Sequence, residues 1–223
     1  MKKDIFKLGI VVVIVLFTSC QKRMVQLPQV VEVETVSLTD ISPIYIFYNE
    51  KAPNDVEVNR KNLISTTHWI FHVDKRNGLE QAGEAIEKLQ LKKQNQKAHK
   101  NEASQNYFSV SDSIHKELAF VNFTEWPFRV IQEEALDTIP LTSSNKLIFG
   151  KDKRVWVNDY EISYDTFDEH MDRLLANELV RDQEWLLVFH GDQSFQEFMA
   201  YFTHIKQHQL KPFKVIHVLR EDN

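Results

Sequence analysis

Two histidine–aspartate pairs are the first residues in this chain whose spacing favours chemistry. His72 stands two residues before Asp74, and His190 stands two residues before Asp192. An imidazole that is oriented by a carboxylate acts as a general base when both side chains line a cleft. The alternative is structural, because an aspartate directly after a strand commonly caps the helix that follows. We favour the capping role and keep the four residues as speculative ligand-binding positions.

A further pair, His204 and His208, has the i, i+4 spacing that places two metal ligands on one helix face. A metalloprotease motif needs a glutamate next to the first histidine, and Ile205-Lys206-Gln207 stand between the two instead. The apolar stripe of the same segment predicts that both histidines face the solvent. They are therefore weak metal candidates, and the sequence indicates no cofactor.

Other catalytic patterns are missing from the sequence. Its five glycines form no phosphate-binding loop and no Gly-x-Ser-x-Gly elbow, so we predict a protein that is not an enzyme. Of the four tryptophans, Trp126 precedes a proline at the end of a predicted strand. It is the best candidate for an exposed, glycan-binding ring, whereas core packing is expected of the other three.

The only cysteine, Cys20, closes a segment that is typical of a bacterial lipoprotein signal. Three lysines precede an apolar run at residues 8–17, and two small residues come directly before the cysteine. A membrane-spanning helix needs about 20 apolar residues, so a cleaved signal peptide at residues 1–19 is the better interpretation. The sequence Phe17-Thr18-Ser19-Cys20 resembles a relaxed lipobox, whose cysteine carries the lipid, such as palmitate, in the mature protein.

Lipidation at Cys20 predicts that residues 20–29 are a tether to a bacterial membrane outside the cytoplasm. The residues after the cysteine include no aspartate of the kind that retains lipoproteins in the inner membrane, and no acidic tract typical of surface export. The outer membrane, on its periplasmic side, is therefore the expected location. Removing residues 1–19 takes away three lysines and one aspartate and moves the formal charge from −5 to −7. Such an acidic protein is not expected to bind nucleic acid.

The elements that position these residues form two predicted α/β units. Residues 30–130 are the first unit, with a mobile insertion at residues 92–106, where large apolar side chains are scarce. Apolar alternation and helical spacing in this unit predict strands at residues 30–36, 44–48, 69–73 and 118–123 and a helix at residues 79–91.

Residues 131–150 are predicted to be a linker, and residues 151–223 the second unit. Its predicted elements are strands at residues 155–157, 185–190 and 213–219 and helices at residues 163–178 and 194–209. The order is β-α-β-α-β, and the last β-α-β has room for a crossover between parallel strands.

The two units share a local pattern. Ile70-Phe71-His72-Val73-Asp74 and Val188-Phe189-His190-Gly191-Asp192 each precede a helix and then another strand. This similarity predicts an internal duplication, although many strand-turn-helix units have a comparable pattern. The fold class that we predict is α/β (α+β), with two small sheet-and-helix units.

The second unit resembles the periplasmic domain of the ExbD/TolR family of biopolymer-transport proteins. The resemblance covers residues 153–221 and rests on the order of the elements, with a hydrophobic strand that ends in Gly191-Asp192. Two departures matter: the apolar run at residues 8–17 contains no acid, and Leu210-Lys211-Pro212 replace the usual glycine before the last strand. The resemblance implies the fold and a partner-binding surface, but not a proton-driven motor.

These observations predict a lipid-anchored bacterial envelope protein that binds another envelope protein or a peptide without catalysing a reaction. It would be accessory to envelope transport, and an exposed edge strand that accepts an extended partner would be the mechanism. The alternatives are a lipoprotein that binds a carbohydrate or another ligand and, less favoured, a hydrolase.

Overall fold

The computed structural model of the chain leaves residues 1–22, which include the predicted signal peptide and Cys20, outside the part that it describes. Of residues 211–214 it describes the backbone only. The described residues are 23–31, 33, 36–52, 55–61, 63–96, 101–139, 145–150 and 153–221.

The first sheet is built around three parallel strands in the order β2-β4-β5, and a helix, α1 (Leu79–Gln94), connects β4 to β5. An antiparallel strand, β3, pairs with the free side of β2, and another, β6, pairs with β5. The short β1 adds a parallel pair to the end of β5. The bounds are β1 Gln29–Val30, β2 Ile41–Tyr48, β3 Val56–Asn59, β4 His68–Val73, β5 Asn106–Asp112 and β6 Leu118–Asn122.

The second sheet has the order β10-β9-β8-β11-β12-β7, in which β8, β11, β12 and β7 are parallel. The helix α4 (Phe195–Gln207) connects β11 to β12, and the short helices α2 (Phe167–Leu175) and α3 (Glu178–Arg181) precede β11. Two 3-10 helices span Glu133–Thr138 and Tyr164–Thr166. The strand bounds are β7 Phe128–Ile131, β8 Asn145–Phe149, β9 Arg154–Val157, β10 Tyr160–Ser163, β11 Glu184–His190 and β12 Lys211–Leu219.

The fold is therefore α/β with two sheet-and-helix units, as predicted. The strand order β3-β2-β4-β5 in the first sheet matches the order β9-β8-β11-β12 in the second, with the same strand directions. In both units a helix follows the central strand and leads to the next parallel strand. This agreement is what an internal duplication requires.

The buried positions of the two long helices agree residue by residue. Counted from Leu79 in α1 and Phe195 in α4, every buried position of α1 falls on a buried position of α4. The further pairs are Ala82 with Phe198, Gly83 with Met199, Ala85 with Tyr201, Ile86 with Phe202 and Leu89 with Ile205.

The two helices lie between the sheets and share one hydrophobic core with both of them. The ring of Phe198 in α4 packs at 6.3 Å from Phe108 of the first sheet and at 5.0 Å from Phe189 of the second. In α1, a Cβ at Gly83 would touch Val130 and Val218 of the second sheet at 3.4 and 3.5 Å. The core is thus a layer of helices between two sheets.

The turn between β4 and α1 caps the start of α4, and the turn between β11 and α4 caps the start of α1. The first backbone N–H groups of an α-helix have no partner inside the helix. Here the first two N–H groups of each helix donate hydrogen bonds to carbonyl groups of the opposite turn. Gly78 and Ser194, one in each turn, also form an antiparallel bridge. The bonds are Leu79 N to Gln193 O (2.7 Å), Glu80 N to Gly191 O (3.0 Å), Phe195 N to Asn77 O (2.8 Å) and Gln196 N to Lys75 O (3.1 Å).

A buried amide side chain ties each turn to its own sheet. Asn77 Nδ2 donates to the carbonyl of Ile46 at 3.2 Å, and Gln193 Nε2 donates to the carbonyl of Phe149. Ile46 and Phe149 occupy equivalent positions in the two sheets. Ile46 pairs with Val73 at the end of β4, and Phe149 pairs with Phe189 near the end of β11. The contact between the units therefore follows a two-fold pattern.

Several segments differ from their prediction. The strand predicted at residues 118–123 is confirmed as β6, but the strand directly after α1 is Asn106–Asp112, which begins at the last residue of the predicted insertion at residues 92–106. The predicted linker at residues 131–150 contains β8 beside the central strand of the second sheet. Of the strand predicted at residues 30–36, the described part is paired as a strand only at Val30. Long-range strand pairing decides these segments, and local pattern does not reveal it.

Gly191 is predicted to be intolerant of any side chain. A Cβ there would clash with the carbonyl oxygen of Leu219 and lie 2.9 Å from Glu80 Cβ in the contact between the turns. We expect Gly191→Ala to lower the free energy of unfolding in urea by about 2 to 3 kcal/mol. Gly83→Ala is the matched control, because its Cβ makes ordinary contacts and alanine favours a helix by about 1 kcal/mol. Equal stability of the two variants would contradict this packing.

Candidate functional site

The structure separates His72 from Asp74. His72 lies on the outer face of the first sheet, where its ring stacks on Tyr45 with 4.7 Å between centroids. Its Nδ1 is 2.8 Å from the hydroxyl oxygen of Ser109. Burial lowers the pKa of His72. Asp74 binds other groups, so the two residues do not form the oriented pair that a general base would need.

Asp74 is buried at the turn after β4 and binds the Arg76 guanidinium with both oxygens, at 2.9 and 3.0 Å. The backbone N–H of Gln26 also donates to this carboxylate, at 3.1 Å. Burial raises the pKa of Asp74, but the hydrogen bonds from Arg76 and Gln26 outweigh that effect and leave the pKa below its usual value. Asp74 thus holds the N-terminal segment on the turn.

The capping role that we favoured for Asp74 and Asp192 is wrong. The N-cap of α4 is Ser194, which exchanges hydrogen bonds with Glu197 in a capping box. In α1, the backbone carbonyls of the opposite turn do the capping. The two histidines are also not at equivalent positions. The hydrogen bonds between the two turns align His190 with Asp74 and not with His72.

His204 and His208 do not point freely into solvent, which corrects the prediction from the helical stripe. His204 Nδ1 and His208 Nε2 approach the same oxygen of Asp168, at 2.8 and 3.0 Å, and Asp172 Oδ1 is 3.6 Å from His208 Nδ1. Both aspartates belong to α2, which packs across α4. In the described part of the chain, no three His, Cys, Asp or Glu side chains are arranged to hold a metal ion. The cluster therefore joins two helices.

Trp126 is only 6% exposed, so its ring is not available as a glycan platform. It packs edge-to-face on Phe202 at 5.2 Å, and the Lys206 ammonium lies 5.4 Å from its centroid. The proline after Trp126 indicated a strand end, but α4 from the second unit covers the ring. No local signal in the sequence shows this contact.

A groove of about 310 Å³ between β3 and α1 was missed by the sequence analysis. Its floor is apolar and its rim is charged. The alternation Val56-Glu57-Val58 was the signal for an edge strand here, but the segment is short and has no other apolar neighbours. The groove is lined by Asp55, Val56, Val58, Arg60, Gln81, Glu84, Ala85, Lys88 and Leu89.

In the second unit the equivalent groove is filled by the chain itself. There β10 pairs antiparallel with the outer side of β9, and Ile162 packs against the core. Tyr164 follows and packs edge-to-face on Tyr201 of α4, with 4.9 Å between centroids. Tyr201 corresponds to Ala85, so the first unit has a small side chain where the second has a ring that Tyr164, directly after β10, covers.

A polar cavity of about 250 Å³ lies at the other end of α1, beside Lys93. The Lys93 ammonium donates to Asn106 Oδ1 at 2.9 Å and to the carbonyls of Gln105 and Thr67 at 3.3 and 3.4 Å. It also lies 4.8 Å from the centroid of the buried Trp69 ring. Burial lowers the pKa of Lys93 to about 8. These contacts engage the amine in holding the residues that precede β4 and β5.

Comparison of the chain with protein-family models, with curated proteins and with solved structures finds no match. The resemblance to the ExbD/TolR family therefore stays a hypothesis. Among the described residues, no helix is both long and apolar enough to cross a membrane.

We expect Asp74→Asn to lower the free energy of unfolding by about 2 kcal/mol at pH 7, because it removes the buried carboxylate that binds the Arg76 guanidinium and leaves that group only the exposed Glu50. The folded-state pKa of Asp74 is lowered, so its stabilisation is present above the usual pKa of 3.8 and is lost as the pH falls through the lower folded-state pKa. Urea unfolding at pH 7 and at about pH 3 measures both effects.

The matched control is Asp137→Asn, at an exposed position in a 3-10 helix. It should change the stability by less than about 0.5 kcal/mol at either pH. An Asp74→Asn variant that is as stable as this control at pH 7 would show that the carboxylate does not anchor the turn.

Proposed function

We propose that this chain is a lipid-anchored bacterial envelope protein that binds an extended segment of another envelope protein, or a peptide, by adding it as a strand to β3. The observation that carries the proposal is the groove between β3 and α1. The second unit fills the equivalent groove with its own strand β10, and in the described part of the chain no strand occupies it in the first unit.

The backbone of β3 supports strand addition. One side of β3 pairs with β2 from Tyr45 opposite Asn59 to Tyr48 opposite Val56. The other side is the edge of the sheet. An edge strand presents a row of N–H and C=O groups to which an extended chain can pair. The second sheet pairs the same edge antiparallel, which makes an antiparallel partner the expected one.

The side chains of the groove describe the segment that fits. Val58 pairs with Ile46 as Val155 pairs with Phe149, but Val155 is fully buried whereas Val58 is half-buried. An inward aliphatic or aromatic side chain of the partner would cover Val58 above Ala85, as Ile162 and Tyr164 do in the second unit. The charged rim favours polar residues on either side of it.

The anchor and the location follow from Cys20 and stay part of the proposal. Lipidation at Cys20 would hold the protein on the periplasmic side of the outer membrane, where a partner in envelope transport would be met. The resemblance to the ExbD/TolR family supports a partner-binding role without catalysis. The carbohydrate-binding alternative loses support because Trp126 is buried.

Photo-crosslinking in cells tests the groove directly. A benzoylphenylalanine residue at Arg60, on the rim, should give discrete adducts with one or a few envelope proteins. The same residue at Glu161, exposed on β10, is the control position. We expect Ala85→Tyr, which fills the groove, to reduce the Arg60 adduct about fivefold, since a groove anchor contributes a large part of the binding energy.

Leu91→Tyr is the matched control on the same helix, because Leu91 is exposed and lies outside the groove. This variant should leave the adduct unchanged, and thermal unfolding should show that both variants are folded. An Arg60 adduct that persists in Ala85→Tyr, or the lack of any discrete adduct, would overturn the proposal.

A further inference from the structure

The outer face of the first sheet carries several aromatic side chains that are partly exposed. On β2, Ile44 and Ile46 face the core and are fully buried, so the alternate residues Tyr45 and Phe47 face outward. Tyr45 stacks on Phe47 at 5.8 Å and on His72 at 4.7 Å, which makes a continuous band of rings.

Apolar residues extend this face at both ends. Ile41 at the start of β2 is 48% exposed, and Leu118 at the start of β6 is 50% exposed. Phe120, opposite Ser109 on β5, adds a further half-exposed ring. Neighbouring apolar side chains that are exposed to water are typical of a face that meets a partner or a membrane.

The outer face of the second sheet is covered by another segment of the chain. Leu186, Val188 and Leu219 lie on it and are at most 3% exposed, because Leu136 and Ile139 from the segment after β7 pack over them. The second sheet thus covers this part of its outer face with its own chain. On the first sheet Tyr107 and Ile70 are buried, whereas the rings of Tyr45, Phe47 and Phe120 stay partly exposed.

The described chain begins beside this aromatic face. Arg23 forms an ion pair with Glu57 of β3, and Glu57 is the cross-strand neighbour of Phe47. Three residues later the backbone of Gln26 is bound to Asp74, so the entry point of the chain is fixed. Met24, between these two contacts, is 72% exposed.

Covalent geometry limits the distance from this point to the lipid. Cys20 precedes Arg23 by three residues, and an extended chain spans at most about 3.6 Å per residue, or about 11 Å in all. A lipid on Cys20 therefore brings the bilayer surface close to Phe47. From this placement we infer that the outer face of the first sheet rests on the membrane that holds the anchor.

The chemistry of the face fits the interfacial region of a bilayer. Tyrosine has an apolar ring with a polar tip and is enriched at the level of the lipid headgroups. The charged residues at the rim are paired, Arg23 with Glu57 and Arg76 with Glu50, which offsets their charges. The aromatic face would contact the bilayer beside the lipid anchor.

This inference rests on the lipid anchor of the proposed function and adds an orientation to it. The edge β3 borders the same face, so an extended partner would approach along the bilayer surface. The open groove and the aromatic face are then adjacent features with different occupants.

Quenching by brominated lipids tests the orientation. The lipidated full chain is reconstituted into vesicles of phosphatidylethanolamine and phosphatidylglycerol, with or without bromine on the acyl chains. The reporter is Phe47→Trp, with Tyr45→Trp as a second reporter in case one variant does not fold. Tyr160→Trp, at a residue that is 75% exposed on β10, is the control, and the signal of the four native tryptophans is subtracted.

We expect bromine to lower the emission of the added tryptophan about twofold at position 47 or 45, because an interfacial face lies about 5 to 10 Å into the headgroup boundary. The emission at position 160 should stay unchanged. Equal quenching at positions 47 and 160, or none at either, overturns the inference. A photo-crosslinker at position 47 that captures a protein while no quenching occurs would assign the face to a protein partner and would also overturn it.

Labelling with a palmitate analogue separates the failure of this inference from that of the anchor. Label that is incorporated into the chain and lost in Cys20→Ser supports the anchor, and absent quenching then contradicts the orientation alone. A chain without label contradicts the anchor and the orientation together, while the groove beside β3 is tested independently by its crosslink.

Discussion

The reciprocal capping of the two strand-to-helix turns is the contact on which the rest of the structure depends. The first two backbone N–H groups of α1 and of α4 donate hydrogen bonds to carbonyls of the other unit's turn. Both helices are also packed between the two sheets. Each unit therefore completes the other, and side chains at a distance, such as Phe108 and Phe189, meet on one helix.

The two units have the same order of four strands, but they differ in which surfaces the chain itself covers. The second unit closes its groove with β10 and covers its outer face with Leu136 and Ile139. The first unit has an open groove over Ala85 and a partly exposed band of rings. Function is proposed where the first unit departs from the second, because an exposed edge and an apolar face are costly in water unless something binds them.

Local signals made the long elements predictable from sequence. The start of α1 near Leu79 and the cap of α4 at Ser194 follow from helical spacing and capping chemistry. What the sequence did not reveal depends on contacts between distant segments: β5 mixes polar and apolar residues, His204 and His208 meet Asp168 from another helix, and α4 covers Trp126. The groove escaped notice because its walls come from β3 and α1, which local patterns treat separately.

Native-state hydrogen exchange tests most directly whether the two units depend on each other. The amides of Leu79 and Glu80 start α1, and those of Phe195 and Gln196 start α4. If each turn caps the other unit's helix, all four amides should exchange with the same opening free energy, equal to that of global unfolding. Opening of the first pair at a clearly lower free energy than the second would show that the units unfold separately and would contradict the account.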